Sequence, residues 1–119
     1  MAQYTGIVTI TIDGVKYSSM SGAKLEMGGF KRKSIIANGR VKGFSKTGVE
    51  SRVTFTMPHG RGDDATIFDD MEDVTLLFEC DSDQIYKING AFSEEPGTLN
   101  EEEGKLDLKF AGPKAQLQK

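Results

Sequence analysis

A period of two is the feature that most constrains this chain. In Ser51-Arg52-Val53-Thr54-Phe55-Thr56-Met57 the apolar Val53, Phe55 and Met57 alternate with polar partners. Lys105-Leu106-Asp107-Leu108-Lys109-Phe110-Ala111 repeats the pattern, with Leu106, Leu108 and Phe110 in one row. Successive strand residues face opposite ways, so such alternation predicts half-buried strands. Between these two segments, Val49 to Asn89 holds the densest run of signals. Pro58 has no N–H to donate and ends the first strand. Asp63 and Asp64 are N-cap candidates, and Ile67, Phe68 and Met71 at helical spacing predict a two-turn helix over Asp63–Met71 that covers a sheet. Val74–Cys80 and Gln84–Asn89, joined by Asp81-Ser82-Asp83, predict an antiparallel hairpin. The expected core is therefore Val53, Phe55, Ile67, Phe68, Met71, Leu76, Phe78, Leu106, Leu108 and Phe110.

The flanking segments supply partners. Thr5–Ile12 is rich in β-branched residues, and Asp13-Gly14 is a two-residue turn signal leading into Val15-Lys16-Tyr17. Ala23–Met27 alternates before Gly28-Gly29 interrupts it. Phe30–Asn38 matches no element and reads as an extended arm, with Lys31-Arg32-Lys33 beside an apolar tip at Ile35-Ile36. Strand character resumes over Gly39–Thr47, with a bulge expected at Gly43, and Gly48 is expected to turn the chain towards the central strand. After Ala91–Glu95, Pro96-Gly97 marks a turn and Glu101–Glu103 an acidic loop. Gly112 to Lys119 is expected to fray or to serve a neighbour. Fourteen glycines and three prolines, without a long helical period, fit a mainly β fold, an antiparallel barrel or sandwich with one short α-helix.

Composition narrows the function. One cysteine, Cys80, excludes an internal disulfide, and the first residues lack the basic and apolar regions of a signal peptide, so folding in a reducing cytoplasm is expected. No run approaches the roughly 20 apolar residues of a membrane span. A net charge of −3 with interspersed signs does not predict tight nucleic-acid binding.

Each chemical motif has a simpler explanation. Gly60-Arg61-Gly62-Asp63-Asp64-Ala65 satisfies the dinucleotide fingerprint G-x-G-x-x-G/A. The following helix is too short for a βαβ crossover, so glycines forming a turn into a capped helix explain it as well. Arg61-Gly62-Asp63 is a cell-adhesion tripeptide with the same turn reading. His59 is the single histidine and lacks the companions a zinc site needs. Cys80 shares a strand face with Leu76 and Phe78 and reads as a small buried hydrophobe. Asp81-Ser82-Asp83 is shorter than a calcium loop. No catalytic, cofactor or metal constellation is expected, and a structural or binding role follows.

Taken in order, Ile12-Asp13-Gly14, Gly39-Arg40-Val41-Lys42-Gly43-Phe44, Val53-Thr54-Phe55, Val74-Thr75-Leu76 with Tyr86, and Glu103-Gly104 before Leu108-Lys109-Phe110-Ala111-Gly112 resemble the tail tube proteins of Mu-like contractile-tailed phages. The resemblance covers nearly the whole chain. The turn at Asp81-Ser82-Asp83 and the segment Phe30–Asn38 depart from it. It implies a single tail-tube-like domain over 1–119 with a flexible N-terminus (1–4), an extended loop (28–38) and a flexible tail (112–119). It further implies hexameric rings stacked into a hollow tube, related in fold to the type VI secretion tube protein. The partners would be other copies of the chain, a tape-measure protein, the tail sheath, the baseplate and tail terminator, and DNA passing through the lumen without tight binding. The place would be the virion tail, assembled in the host cytoplasm without a membrane anchor. Lys31, Arg32, Lys33, Ile35 and Ile36 become the candidate inter-ring interface, and a tube of a bacteriocin or secretion machine is the alternative.

Overall fold

The computed structural model describes residues 4–60, 64–102 and 104–118. Asp13 and Gly14 both take positive φ (49° and 86°), the conformation of a type I′ turn whose twist suits a hairpin. They join β1 (Val8–Ile12) to β2 (Val15–Ser18). Asp13 also fixes the hairpin's neighbour, because its Oδ1 accepts from Thr75 N–H and its own N–H donates to the Thr75 carbonyl. The remaining strands are β3 (Lys24–Glu26), β4 (Gly29–Ala37), β5 (Arg40–Val49), β6 (Ser51–Pro58), β7 (Val74–Cys80), β8 (Ile85–Ser93), β9 (Thr98–Asn100), β10 (Lys105–Gly112) and β11 (Gln116–Leu117).

All strands but β4 and β5 belong to one antiparallel path, β2-β1-β7-β8-β10-β6-β3, with β11 on β8 and β9 on β10. The path folds over at β8, whose last residues Phe92 and Ser93 pair with Ala111 and Phe110. The result is a sandwich-like body in place of a closed barrel. Gly90 lies in β8 at positive φ (76°), at the register shift against Val74–Leu76, and lets the strand pass from one layer to the other. The inward rows of both layers are apolar. Val53 and Phe55 from β6, Leu76 and Phe78 from β7, and Leu106, Leu108 and Phe110 from β10 are buried, together with Ile10, Ile12, Ile88 and Ala91. Phe55 and Phe110 stack at 6.2 Å, and burial of each such side chain stabilises the fold by roughly 1.5–3 kcal/mol.

Four expectations change. The segment expected to form a two-turn α-helix forms a single 3-10 turn, Ala65–Phe68, capped by Asp64, whose carboxylate accepts from Thr66 N–H. Asp63 lies outside the described residues. A 3-10 turn repeats every three residues, so Ala65, Phe68 and Met71 face the core, with Phe68 2% exposed and edge-on to Tyr17 at 5.2 Å. Ile67 is left 47% exposed and is not a core residue.

The segment 28–38 is not a loop but strand β4, paired along its length with β5. Gly48 does not turn the chain, since it pairs with Phe30 and the chain passes through Glu50 into β6. The tail is tied down over its described residues. Ala115 is buried, its N–H donates to the Met27 carbonyl, and Gln116 and Leu117 pair with Lys87 and Tyr86. Met1–Gln3 and Lys119 lie outside the described residues, as do the Arg61–Asp63 part of the glycine motif and Glu103.

Candidate assembly surface

The hairpin β4–β5 stands apart from the body. Its turn is Asn38-Gly39, both at positive φ (53° and 73°), and a register shift at Ile35/Ile36 leaves Lys42 without a cross-strand partner, a bulge beside the expected Gly43. Below the arm, β3 pairs with β6 as Lys24↔Thr54 to Glu26↔Arg52, and above it Gly29↔Val49 continues in the same register. The arm is thus the outer half of one long hairpin, interrupted at its root by Met27-Gly28 and Glu50-Ser51.

Two sets of contacts hold that root. On the outer side, Arg52 Nε and Nη2 donate to both Glu94 oxygens (3.0 and 2.9 Å), Nη2 also reaches Glu50 (2.7 Å) and Nη1 reaches Glu26 (3.4 Å). The hydrogen bond from Arg52 is the main cause that lowers the Glu94 carboxyl below its ordinary value, and the same bond raises the guanidinium. On the inner side, buried Ser51 Oγ donates to the carbonyls of Gly112 and Pro113 (3.1 and 2.6 Å). Gly28 at φ 76° is required, because a Cβ there would lie 2.6 Å from Ser51 N.

Beyond the root the arm lies open to solvent. Every residue from Phe30 to Gly39 is exposed. Paired residues share a face, so the arm has two distinct sides. One carries Phe30, Arg32, Ile36, Val41, Phe44 and Lys46, and the other carries Lys31, Lys33, Ile35, Ala37 and Arg40. The five candidate interface residues are therefore split: Arg32 and Ile36 lie on the first side, and Lys31, Lys33 and Ile35 on the second. On the first side, Arg32 sits 5.5 Å over the Phe44 ring and Lys46 5.5 Å over the Phe30 ring. Sequence reasoning missed these pairs, although Asn38-Gly39 between two β-prone runs is a hairpin signal that would have placed them.

Between β6 and β7 the described residues hold one 3-10 turn, Ala65–Phe68, and the strands they form pair antiparallel, so no βαβ unit that could hold a dinucleotide is found among the described residues. Among the described residues no three His, Cys, Asp or Glu side chains gather as metal ligands, and no helix is long and apolar enough to cross a membrane.

Comparison with known proteins gives this architecture a family. The model of the phage tail tube protein family matches residues 1–116. The chain belongs to that family. A Mu-like prophage FluMu tail tube protein of Haemophilus influenzae is 32% identical over 109 residues, which span 92% of this chain and 91% of that protein. The tube-terminating cap of the anti-feeding prophage shares the fold of this tail tube family member at a TM-score of 0.66 and 10% identity, over 99% and 94% of the two chains. Hcp1 from Flavobacterium johnsoniae shares it at a TM-score of 0.55 and 11% identity, over 95% of each.

Proposed function

We propose that this tail tube protein forms the inner tube of a contractile phage tail, as hexameric rings stacked into a conduit for DNA. The observation that carries this reading is the arm, a long hairpin that the subunit's own body leaves uncovered. Family membership supports the tube, and the surface area supports the need for neighbours. The chain exposes 8218 Å², whereas a folded monomer of this mass exposes roughly 6,300 Å². The arm that carries Lys31, Arg32, Lys33, Ile35 and Ile36 is assigned to ring-to-ring contact. A tape-measure protein inside, a sheath outside, and a baseplate and terminator at the ends complete the proposed assembly, which is built in the host cytoplasm and carried in the virion. A tube of a phage-derived secretion or bacteriocin machine is the second reading, and the fold shared with the anti-feeding prophage cap is compatible with it.

Size-exclusion chromatography and negative-stain microscopy of the full chain test the proposal. Rings or tubes with a central channel are expected, and a monomer at every concentration tried would overturn it. Gly29 and Val49 are paired at the root, so replacing residues 30–48 by a short glycine turn should leave a folded subunit that forms no long tubes. Normal tube growth from that variant would remove the arm from the ring-to-ring contact.

A further inference from the structure

Charge is not spread evenly over this chain. The arm holds six of the fifteen basic residues (Lys31, Arg32, Lys33, Arg40, Lys42 and Lys46) and none of the eighteen acids, so it carries +6 and the rest of the chain −9. Two oppositely charged parts of one molecule attract. Here the arm cannot fold back, because β5 runs on into β6 and the root is held by Arg52 on one side and Ser51 on the other. The attraction is left for another copy.

The two sides of the arm are not equal in what they offer. On one, Phe30, Ile36, Val41 and Phe44 are 65, 66, 69 and 55% exposed, an unpartnered apolar face of the kind that marks an interface. Its two cations already rest on aromatic rings. A ring shields one side of the cation from water and restricts its motion, and the other side stays open to an anion, so less order must be imposed when a carboxylate arrives. The opposite side, with Lys31, Lys33 and Arg40, has cations without such platforms and a single large apolar residue, Ile35.

We propose that the Phe30–Arg32–Ile36–Val41–Phe44–Lys46 side of the arm docks on the acidic body of a second copy of this chain. Arg32 and Lys46 meet that copy's carboxylates and the rings fill the dry centre, while the Lys31–Lys33 side stays solvated. This rests on the tube reading and names the side that is buried and the charge that meets it. Cations interleaved with aromatic side chains also suit a nucleic acid, but a polyanion drawn to the arm is repelled by a body at −9, whereas a second copy presents that same body as the partner.

Sedimentation of the full-length chain, giving the critical concentration for assembly, is the test. It is run between about 50 and 500 mM salt, where the Debye length falls from roughly 14 to 4 Å. Assembly of the wild type should weaken as salt rises. Phe30→Ser with Phe44→Ser should raise the critical concentration about tenfold or more, as loss of a central aromatic anchor does. Arg32→Gln with Lys46→Gln should also raise it and flatten the salt response. Lys31→Gln with Lys33→Gln, as a surface pair, should stay within about threefold. Equal melting temperatures establish that each variant is folded. Tubes that form normally in the Phe30/Phe44 variant, or a larger loss from the Lys31/Lys33 pair, would overturn this assignment and leave the tube reading standing. A wild type that never assembles would overturn both. Submicromolar binding of short duplex DNA, abolished in the Phe30/Phe44 variant, would give this side to nucleic acid.

Discussion

Ile67 and Phe68 are chain neighbours with opposite fates, and the number of residues per turn decides between them. At 3.6 residues per turn both would face the sheet with Met71. In the 3-10 turn Phe68 alone of the two does so, and it is 2% exposed. Phe68→Ala should therefore cost about 3–5 kcal/mol, while Ile67→Ala should stay within about 0.5 kcal/mol. Denaturant unfolding separates them, and equal midpoint shifts would mean that the turn packs differently. Apolar identity marked the segment as a lid, but the choice of turn depends on how closely Tyr17 and the sheet approach. Gly112 has a similar explanation. It closes the Phe-x-Gly of the family resemblance, and a Cβ there would lie 2.7 Å from Ile88 Cγ2 and 3.2 Å from Ala91 Cα. That close approach of β10 to β8 cannot be read from local sequence.

At the scale of elements, the arm and the tail explain each other. Alternation betrays a strand only when one face is buried, and neither face of β4 meets the core, so the segment showed no recognisable period. The tail reads as frayed for a related reason: its anchors are hydrogen bonds, from backbone or side chain, with residues far away in the chain. Ala115 binds Met27, and Pro113 and Gly112 accept from Ser51, so the tail is a strap across the root of the arm. Removing residues 113–119 deletes two of these bonds, each worth about 0.5–1.5 kcal/mol. Amide exchange at Phe30 and at 49–51 should then rise about tenfold or more, while the β6–β10 pair keeps most of its protection. Unchanged exchange at the root would show that Arg52 and its carboxylates hold the arm without the strap.

The whole subunit is long for its mass. Its radius of gyration is 17.3 Å, against about 13.5 Å for a compact chain of this length, and its extents are 63 × 39 × 28 Å. The added length includes the basic arm, so a uniform −3 per subunit misdescribes the field. In the proposed tube, docking of arms on neighbouring bodies offsets the +6 and leaves each subunit a net −3, with no free cluster of cations to hold phosphate. Assembled tubes should then bind little or no short duplex DNA at low salt. Submicromolar binding that weakens steeply with salt, as release of phosphate counterions would produce, would place the arm's cations in the lumen and defeat the conduit reading.

By itself the sequence determined what short-range chemistry controls: the strands with one buried face, the Asp13-Gly14 hairpin, the Asp64 cap, the end of β6 at Pro58, and the apolar rows of β6, β7 and β10. With the resemblance, it also pointed to the tail tube family. The tertiary structure alone decided the turn type at Ala65–Phe68, the fold of the path into a sandwich at β8, the anchoring of the tail, and the two faces of the arm. Each of these depends on contacts between residues distant in the chain, or on the lack of any contact, and neither leaves a periodic mark on the segment concerned.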